Sequence, residues 1–92
     1  MAEGTLIEPQ YVSQLVSALQ DELPGAEIAH EPVRRDRYRF VIVWNRFEDM
    51  GHPERQRIVW DIADASLAKS DLLKVAMIIT MAPSEVASNE HD

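Results

Sequence analysis

The chain lacks cysteine altogether and has only three glycines among its 92 residues. Without a thiol, this chain alone cannot form disulfides, cysteine-ligated zinc or iron–sulfur sites, or a thiol nucleophile. The three glycines are scattered at Gly4, Gly25 and Gly51. They can therefore build neither a phosphate-binding loop nor a dinucleotide-binding fingerprint.

Long apolar runs are also missing. The longest apolar stretch, from Leu72 to Ala82, falls well short of the roughly 20 residues that a membrane-spanning helix needs. The first ten residues lack the basic and apolar regions of a signal peptide, so we expect a cytoplasmic protein. The length is typical of a single domain. We predict an N-terminal tail over 1–8, one domain over 9–83 and an acidic C-terminal tail over 84–92.

Basic residues are few, nine against 16 acidic ones, and the net charge is −7. This balance argues against non-specific polyanion binding by the whole molecule. Seven of the nine nevertheless lie in a window that also holds four acids and has a net charge of +3: Arg34, Arg35, Arg37, Arg39, Arg46, Arg55 and Arg57. The planar guanidinium suits phosphate or carboxylate. The window is therefore either a binding surface or a solvated surface paired with nearby acids.

Two amphipathic helices are predicted on either side of this window. Apolar residues after Pro9 recur at helical spacing as far as Leu23, and Pro24-Gly25 ends the pattern. Pro53 and Glu54 begin a second helix whose buried stripe is Ile58, Val59, Ile62, Ala63 and Leu67.

Three strands are predicted in addition. The segment 26–33 alternates loosely and contains Pro32, which favours an edge strand. The segment 38–47 is rich in aromatic and β-branched residues, as expected for a central strand. The run 72–82 is typical of a strand covered on both faces, although a buried helix is an alternative.

The resulting order is helix, strand, strand, helix, strand. The first two strands are joined by a short turn and must be antiparallel, whereas a helical crossover joins the second to a parallel third. We therefore predict an α+β, two-layer domain, with a three-stranded mixed sheet and both helices on one face.

The central segment carries a family-like motif. Arg46-Phe47 is followed by seven residues and then Arg55-Gln56-Arg57, and Val75 to Ile79 follows downstream. This pattern resembles the BolA family, which shows Arg-Phe, a seven-residue loop and Arg-His-Arg, and whose fold is similar to a type II KH domain. The resemblance covers roughly residues 9–83. It implies a small, non-enzymatic regulatory or adaptor domain that binds a protein partner.

The resemblance also implies a partner and a cofactor. BolA proteins use a histidine at the start of the last strand to share a [2Fe–2S] cluster with a monothiol glutaredoxin. The aligned residue here is Val75, which cannot ligate metal, and Gln56 replaces the middle histidine of the motif. We therefore expect no cofactor, with a shared cluster possible by resemblance alone. His30 is the one candidate metal ligand, although a partly buried core histidine is the commoner role for such a residue.

Enzyme activity is not expected, because no nucleophile elbow or metal-ligand spacing occurs. Asp61 and Asp64, three apart on the second helix, are the only candidate acid pair that we consider. The alternative to a protein-binding role is a KH-like nucleic-acid binder that uses the arginine window, although it lacks the Gly-x-x-Gly loop. For either role the candidate contact residues are the seven arginines and Trp60, since Trp and Arg are frequent interface anchors.

Overall fold

The computed structural model describes residues 8–90, with side chains described up to residue 86. Residues 1–7, and with them nearly all of the predicted N-terminal tail, lie outside that range, as do residues 91 and 92. Eight elements follow one another along the described chain: α1 (Gln10–Glu22), β1 (Glu27–Arg34), β2 (Arg37–Val43), a 3₁₀ helix η1 (Asn45–Asp49), α2 (His52–Ser66), α3 (Lys69–Leu72), β3 (Val75–Met81) and α4 (Pro83–Glu90). Within residues 8–90, no helix has the length and apolarity required to cross a bilayer.

The three strands form one mixed sheet in the order β1-β2-β3. β1 pairs antiparallel with β2, and β2 pairs parallel with β3. The helical crossover between β2 and β3 allows their parallel pairing, and the short turn between β1 and β2 enforces the antiparallel one. The predicted two-layer α+β architecture is confirmed.

The core lies between the sheet and the two long helices. α1 contributes a fully buried stripe from Val12 to Leu19, and α2 contributes Val59 and Ala63. β2 contributes side chains on the same side of the sheet, among them the fully buried Phe40 and Ile42. Because successive residues of a strand point to opposite faces, the intervening residues of β2 face away from the helices.

The face of the sheet opposite the helices is open among the described residues. Met77 is 48% exposed, and Val41, Val43, Ile79 and Met81 are partly exposed there. The prediction that the third strand is covered on both faces is therefore wrong. The two long helices cover only one face of the three-stranded sheet. In addition, β3 is an edge strand, with a neighbouring strand on one side only.

The central strand is shorter than predicted. The expectation was a strand over 38–47, but β2 ends at Val43 and Asn45–Asp49 forms η1. The aromatic residues at the end of the predicted strand are buried all the same. Trp44 and Phe47 pack edge to face at 5.3 Å, and the Trp44 indole N–H donates to the Pro24 carbonyl at 2.9 Å. High β propensity predicted strand structure for these residues, whereas their packing in the core ends the strand at Val43.

Most of the predicted C-terminal tail is helical. α4 runs over Pro83–Glu90, where the sequence predicted a tail from residue 84. Glu48 of η1 accepts hydrogen bonds from the backbone N–H and the hydroxyl of Ser84, at 3.1 and 2.9 Å. A carboxylate at a helix N-terminus satisfies free N–H groups and favours the helix dipole. Contacts from a distant part of the chain therefore help to order a segment whose composition predicts a tail.

Tyr11 ties α1 to the turn between β1 and β2. Its hydroxyl contacts two backbone carbonyls, of Asp36 at 2.9 Å and of Lys74 at 3.2 Å. Burial raises the pKa of Tyr11 above its ordinary value. One phenol thus joins the N-terminal helix, the β1–β2 turn and the start of β3.

We expect Tyr11→Phe to lower the free energy of unfolding by about 1 kcal/mol, the usual net worth of such a hydrogen bond. Urea unfolding followed by circular dichroism measures the change. Tyr38→Phe is the matched control, because the Tyr38 hydroxyl has no hydrogen-bond partner among the described residues while its ring also packs near Tyr11. Equal losses in the two variants would show that the hydroxyl contacts of Tyr11 contribute nothing specific.

Candidate partner-binding surface

The tight β1–β2 turn carries three exposed arginines. Arg34 pairs with Arg37 across the turn, and Arg35 and Asp36 lie between them. Asp36 has a positive φ of 64°, a conformation that Asp tolerates better than most residues, and its carbonyl is held by Tyr11. The turn is therefore fixed in place while its guanidinium groups remain in solvent.

The three large apolar side chains that are most exposed lie at the same end of the sheet. Val33, Leu73 and Met77 are 52%, 74% and 48% exposed. Arg37 donates from Nη1 to the Leu73 carbonyl at 3.0 Å, which joins the turn to the segment before β3. Met77 lies in register with Arg39. We define the turn-end surface as these six exposed residues: Val33, Arg34, Arg35, Arg37, Leu73 and Met77.

The other predicted arginines do not extend this surface. Arg39 forms an ion pair with Glu31 on the neighbouring strand. Arg46 lies over the Trp44 ring, with its guanidinium carbon 5.6 Å from the ring centroid. Arg46 lies in η1, which follows the opposite end of β2, and the exposed Arg57 lies on α2, in the helical layer. The arginine window is therefore divided between separate parts of the molecule and forms no continuous basic stripe.

Arg55 is an interior residue, only 5% exposed. The prediction that it is a contact residue on the surface is therefore wrong. Its Nε donates to the Met50 carbonyl at 3.0 Å, and Nη2 donates to the Phe47 carbonyl at 2.8 Å. Nη1 and Nη2 also bind the two carboxylate oxygens of Glu85, at 2.8 and 2.9 Å. A guanidinium cannot shed its charge, so burial demands this set of acceptors.

Glu85 fixes the N-terminus of α4. Besides the bidentate pair with Arg55, its Oε1 accepts from the Ala82 backbone N–H at 2.9 Å, much as in a capping box. The hydrogen bonds from Arg55 lower the pKa of Glu85 from 4.5 to about 2. Sequence reasoning missed this pair, because nothing in the spacing of residues 55 and 85 indicates that they meet.

Trp60 is a partly buried residue beside β3. Its indole N–H donates to Gln56 Oε1 at 3.0 Å, and Gln56 Nε2 donates to the Ile78 carbonyl at 2.9 Å. The two side chains attach α2 to the edge strand. Trp60 lies apart from the turn-end surface and has a packing role of its own.

His30 packs into the core side of β1. Its ring tilts against those of Tyr38 and Phe40, with centroids about 6 Å away (5.9 and 6.0 Å). Its Nδ1 lies 3.6 Å from a Glu8 carboxylate oxygen. Among the described residues, no group of three or more histidine or acidic side chains has an arrangement that could hold a metal ion.

A depression on the described surface lies between α1 and α2 and has a volume of about 450 Å³. Asp61 borders it together with Asp21 and Glu22, and the remaining lining residues are Ala18, Ile62, Ala65 and Ser66. Asp64 does not line it. The predicted acid pair is thus not brought together in this depression, and no basic side chain lines it.

Comparison with known proteins gives matches to solved structures. No protein-family model and no curated protein matches the chain. The BolA domain of SufE1 from Arabidopsis thaliana has a TM-score of 0.69 and 23% identity, over 86% of this chain and 99% of that one. BolA1 from Arabidopsis thaliana has a TM-score of 0.65 and 26% identity, over 86% and 98%. BolA1 from Mus musculus has a TM-score of 0.62 and 18% identity, over 100% and 80%.

The chain has a BolA-family fold. The resemblance carried by the motif from Arg46 to Arg57 is thereby confirmed at the level of fold. Within that BolA fold the motif acquires a structural meaning. Its Arg-Phe pair forms η1, and the first and second residues of Arg55-Gln56-Arg57 anchor α2 to η1, α4 and β3.

The residues present do not fit the cluster that the BolA resemblance implies. Val75 stands at the start of β3, is 7% exposed and belongs to the core. The β1–β2 turn offers arginines and an aspartate in place of thiol or imidazole donors. His30 lies on β1, with β2 between it and β3, so it cannot replace a ligand at position 75.

We expect Arg55→Met to lower the free energy of unfolding by about 2 kcal/mol, since the Phe47 and Met50 carbonyls and the Glu85 carboxylate lose their donors. Chemical denaturation measures the loss. Arg57→Met is the matched control on the exposed side of the same helix and should change stability by less than about 0.5 kcal/mol. Similar small effects in both variants would contradict an interior role for Arg55.

Glu85 should make the stability depend on pH in acid. A carboxylate whose pKa is lowered from 4.5 to about 2 on folding stabilises the protein above its unfolded pKa, and this contribution disappears as the pH falls from 4.5 to about 2. The difference in thermal midpoint between wild type and Glu85→Gln should therefore be greatest near neutral pH and shrink across that interval. Glu54→Gln, at an exposed position in the first turn of α2, controls for general acid effects. A Glu85→Gln difference that stays constant with pH would refute the pairing.

Proposed function

We propose that this chain is a small, non-enzymatic regulatory domain of BolA type that binds a protein partner through the turn-end surface. The observation that carries the proposal is that the exposed Val33, Leu73 and Met77 lie at the same end of the sheet as three exposed arginines. Exposed apolar side chains that share one region of a surface often mark an interaction site. Arginine beside apolar residues is a composition typical of protein interfaces.

The local geometry supports a prepared surface. Tyr11 holds the turn through the Asp36 carbonyl, and Arg37 holds the segment before β3 through the Leu73 carbonyl. A partner would therefore meet side chains on a fixed backbone, which reduces the ordering entropy lost on binding. The arginines favour a partner with carboxylate groups at the contact.

The partner implied by the family resemblance is a monothiol glutaredoxin, and it is the first protein to test. Binding would be direct, through protein contacts, because the donor set at Val75 and in the turn does not suit a shared cluster. A regulatory role agrees with the exposure of Asp61 and Asp64 on the surface of α2, a solvated setting that does not favour an acid–base pair. The cytoplasmic location expected from the sequence stays a prediction.

The nucleic-acid alternative receives less support. It required the arginines of the window to act as one phosphate-binding surface, but Arg55 is buried and Arg39 is paired with Glu31. Arg46 in η1 and Arg57 on α2 belong to other elements than the turn that carries Arg34, Arg35 and Arg37. Three neighbouring arginines on a molecule of net charge −7 provide a small electrostatic footprint.

We expect the wild-type chain to bind a monothiol glutaredoxin in isothermal titration calorimetry, and Leu73→Ser to weaken that binding by about tenfold or more, because a central apolar contact is lost. The thermal midpoint should not move, since Leu73 is 74% exposed. Arg57→Ala is the control, at an exposed arginine remote from the turn-end surface.

Two results would contradict the proposal. In the first, glutaredoxin binds equally well to wild type and Leu73→Ser, which would move the contact elsewhere. In the second, wild type binds no glutaredoxin but binds labelled oligonucleotides with an affinity that falls steeply between about 50 and 200 mM salt, which is the signature of phosphate contacts.

A further inference from the structure

The depression between α1 and α2 forms an apolar groove with an acidic border, which we call the helical groove. It has a volume of about 450 Å³. Its lining combines three apolar side chains, Ala18, Ile62 and Ala65, with three exposed carboxylates, Asp21, Glu22 and Asp61. Among the described residues, none of these carboxylates belongs to an ion pair.

The acidic side chains of the helical groove lie where negative charge is unfavourable. Asp21 and Glu22 belong to the last turn of α1, which contains no basic residue. The C-terminal end of a helix carries a partial negative charge, so a cation beside it is stabilising and a carboxylate is not. A partner that presents guanidinium groups together with an apolar side chain would therefore complement the helical groove in both respects.

The β1–β2 turn of the same chain has that composition. Arg34 and Arg35 are exposed there, and neither belongs to an ion pair among the described residues. Val33, which precedes them, is 52% exposed. Asp36 is the one acid between Arg34 and Arg37. The turn therefore offers two unpaired guanidinium groups and a neighbouring apolar side chain.

The turn and the acidic border lie toward opposite ends of α1. Tyr11, at the start of α1, binds the Asp36 carbonyl, which places the turn at this end. Asp21 lies ten residues further along the helix, a rise of about 15 Å. Just beyond α1, the Pro24 carbonyl accepts from Trp44, which follows the other end of β2. Since Tyr11 fixes the turn, its arginines can reach the helical groove of a neighbouring molecule but not their own.

We propose that copies of this chain associate head to tail, with the β1–β2 turn of one copy on the helical groove of the next. Arg34 and Arg35 of the first copy supply guanidinium groups to the carboxylates of the second, and Val33 supplies an apolar contact. Complementary charge is the argument for a second copy, because each molecule carries both halves of the contact.

The contact is heterologous, because it joins two different surfaces of the molecule. After two copies have joined, one turn and one helical groove are still free, so further copies can add. Association therefore grows with concentration instead of ending at a dimer. It is also independent of the identity of the protein partner that the turn-end surface binds.

The exposure of the charged groups sets the strength of the contact. Ion pairs between solvated side chains stabilise little, and one turn on one groove is a smaller contact than stable complexes use. The net charge of −7 on each copy also opposes association. We therefore expect a reversible contact with a Kd of the order of 100 µM.

Sedimentation equilibrium of the full chain, from roughly 10 µM to roughly 1 mM, measures the association. Ala65→Arg places a long cation in the helical groove and should raise the Kd about tenfold or more. The double variant Arg34→Ser/Arg35→Ser should have a similar effect, and it keeps the test intact if Ala65→Arg fails to fold. Ala29→Arg is the matched control, because it adds the same side chain at an exposed alanine outside both surfaces and should leave the Kd unchanged.

An equimolar mixture of Ala65→Arg with the double turn variant tests the head-to-tail arrangement. The first keeps its turn and the second keeps its helical groove, so together they should form a dimer with a Kd within about threefold of the wild-type contact. That dimer cannot add a third copy, because its remaining turn and groove are both altered.

Three results would overturn parts of the proposal. A wild-type chain that stays monomeric up to about 1 mM would refute the association itself. Equal weakening by Ala29→Arg would refute the assignment to the turn and the helical groove, and a mixture that stays monomeric would refute the head-to-tail arrangement. Glutaredoxin is absent from these measurements, so their failure is distinct from a failure of the proposed function.

Discussion

The Arg55 guanidinium lies where three elements meet, and the end of the molecule that carries η1 depends on it. It binds the carbonyls of Phe47 and Met50 and both carboxylate oxygens of Glu85. Since an interior arginine stays charged, these acceptors must be kept in place for the fold to bury it. The start of α2, the 3₁₀ helix and α4 are thereby fixed to one another. This is why a segment with the composition of a tail ends the described chain as a helix.

A second constraint comes from the small number of long helices. The two long helices cover one face of the three strands, and neither covers the other face or the β1–β2 turn. At the turn, Tyr11 and Arg37 immobilise the backbone while arginine and apolar side chains remain exposed. The surfaces that remain available for contacts therefore follow from the same packing that closes the core.

Departures from the BolA pattern are explained by the same packing. Val75 places an apolar side chain in the core where the family has a ligand, and the turn lacks the donors that would complete such a site. Gln56, in place of the middle histidine of the motif, bridges Trp60 and the Ile78 carbonyl. The BolA fold is therefore retained with different residues at the positions that the resemblance assigns to a cluster.

The periodicity of apolar residues, Pro9, Pro53 and the short turn at residues 35–36 were sufficient to determine the two long helices, three strands, their order and the layer arrangement. Those features depend on local propensity and on connection length, which a sequence carries directly. The sequence also shows the arginine window, but it does not show that the arginines are divided between different parts of the fold. Whether an arginine is exposed, stacked on Trp44 or buried against Glu85 depends on residues up to 30 positions away. Leu73 lies within an apolar run but precedes β3, which begins at Val75, and it is exposed. The sequence does not show this, because burial is set by which elements pack on a residue rather than by its own hydrophobicity.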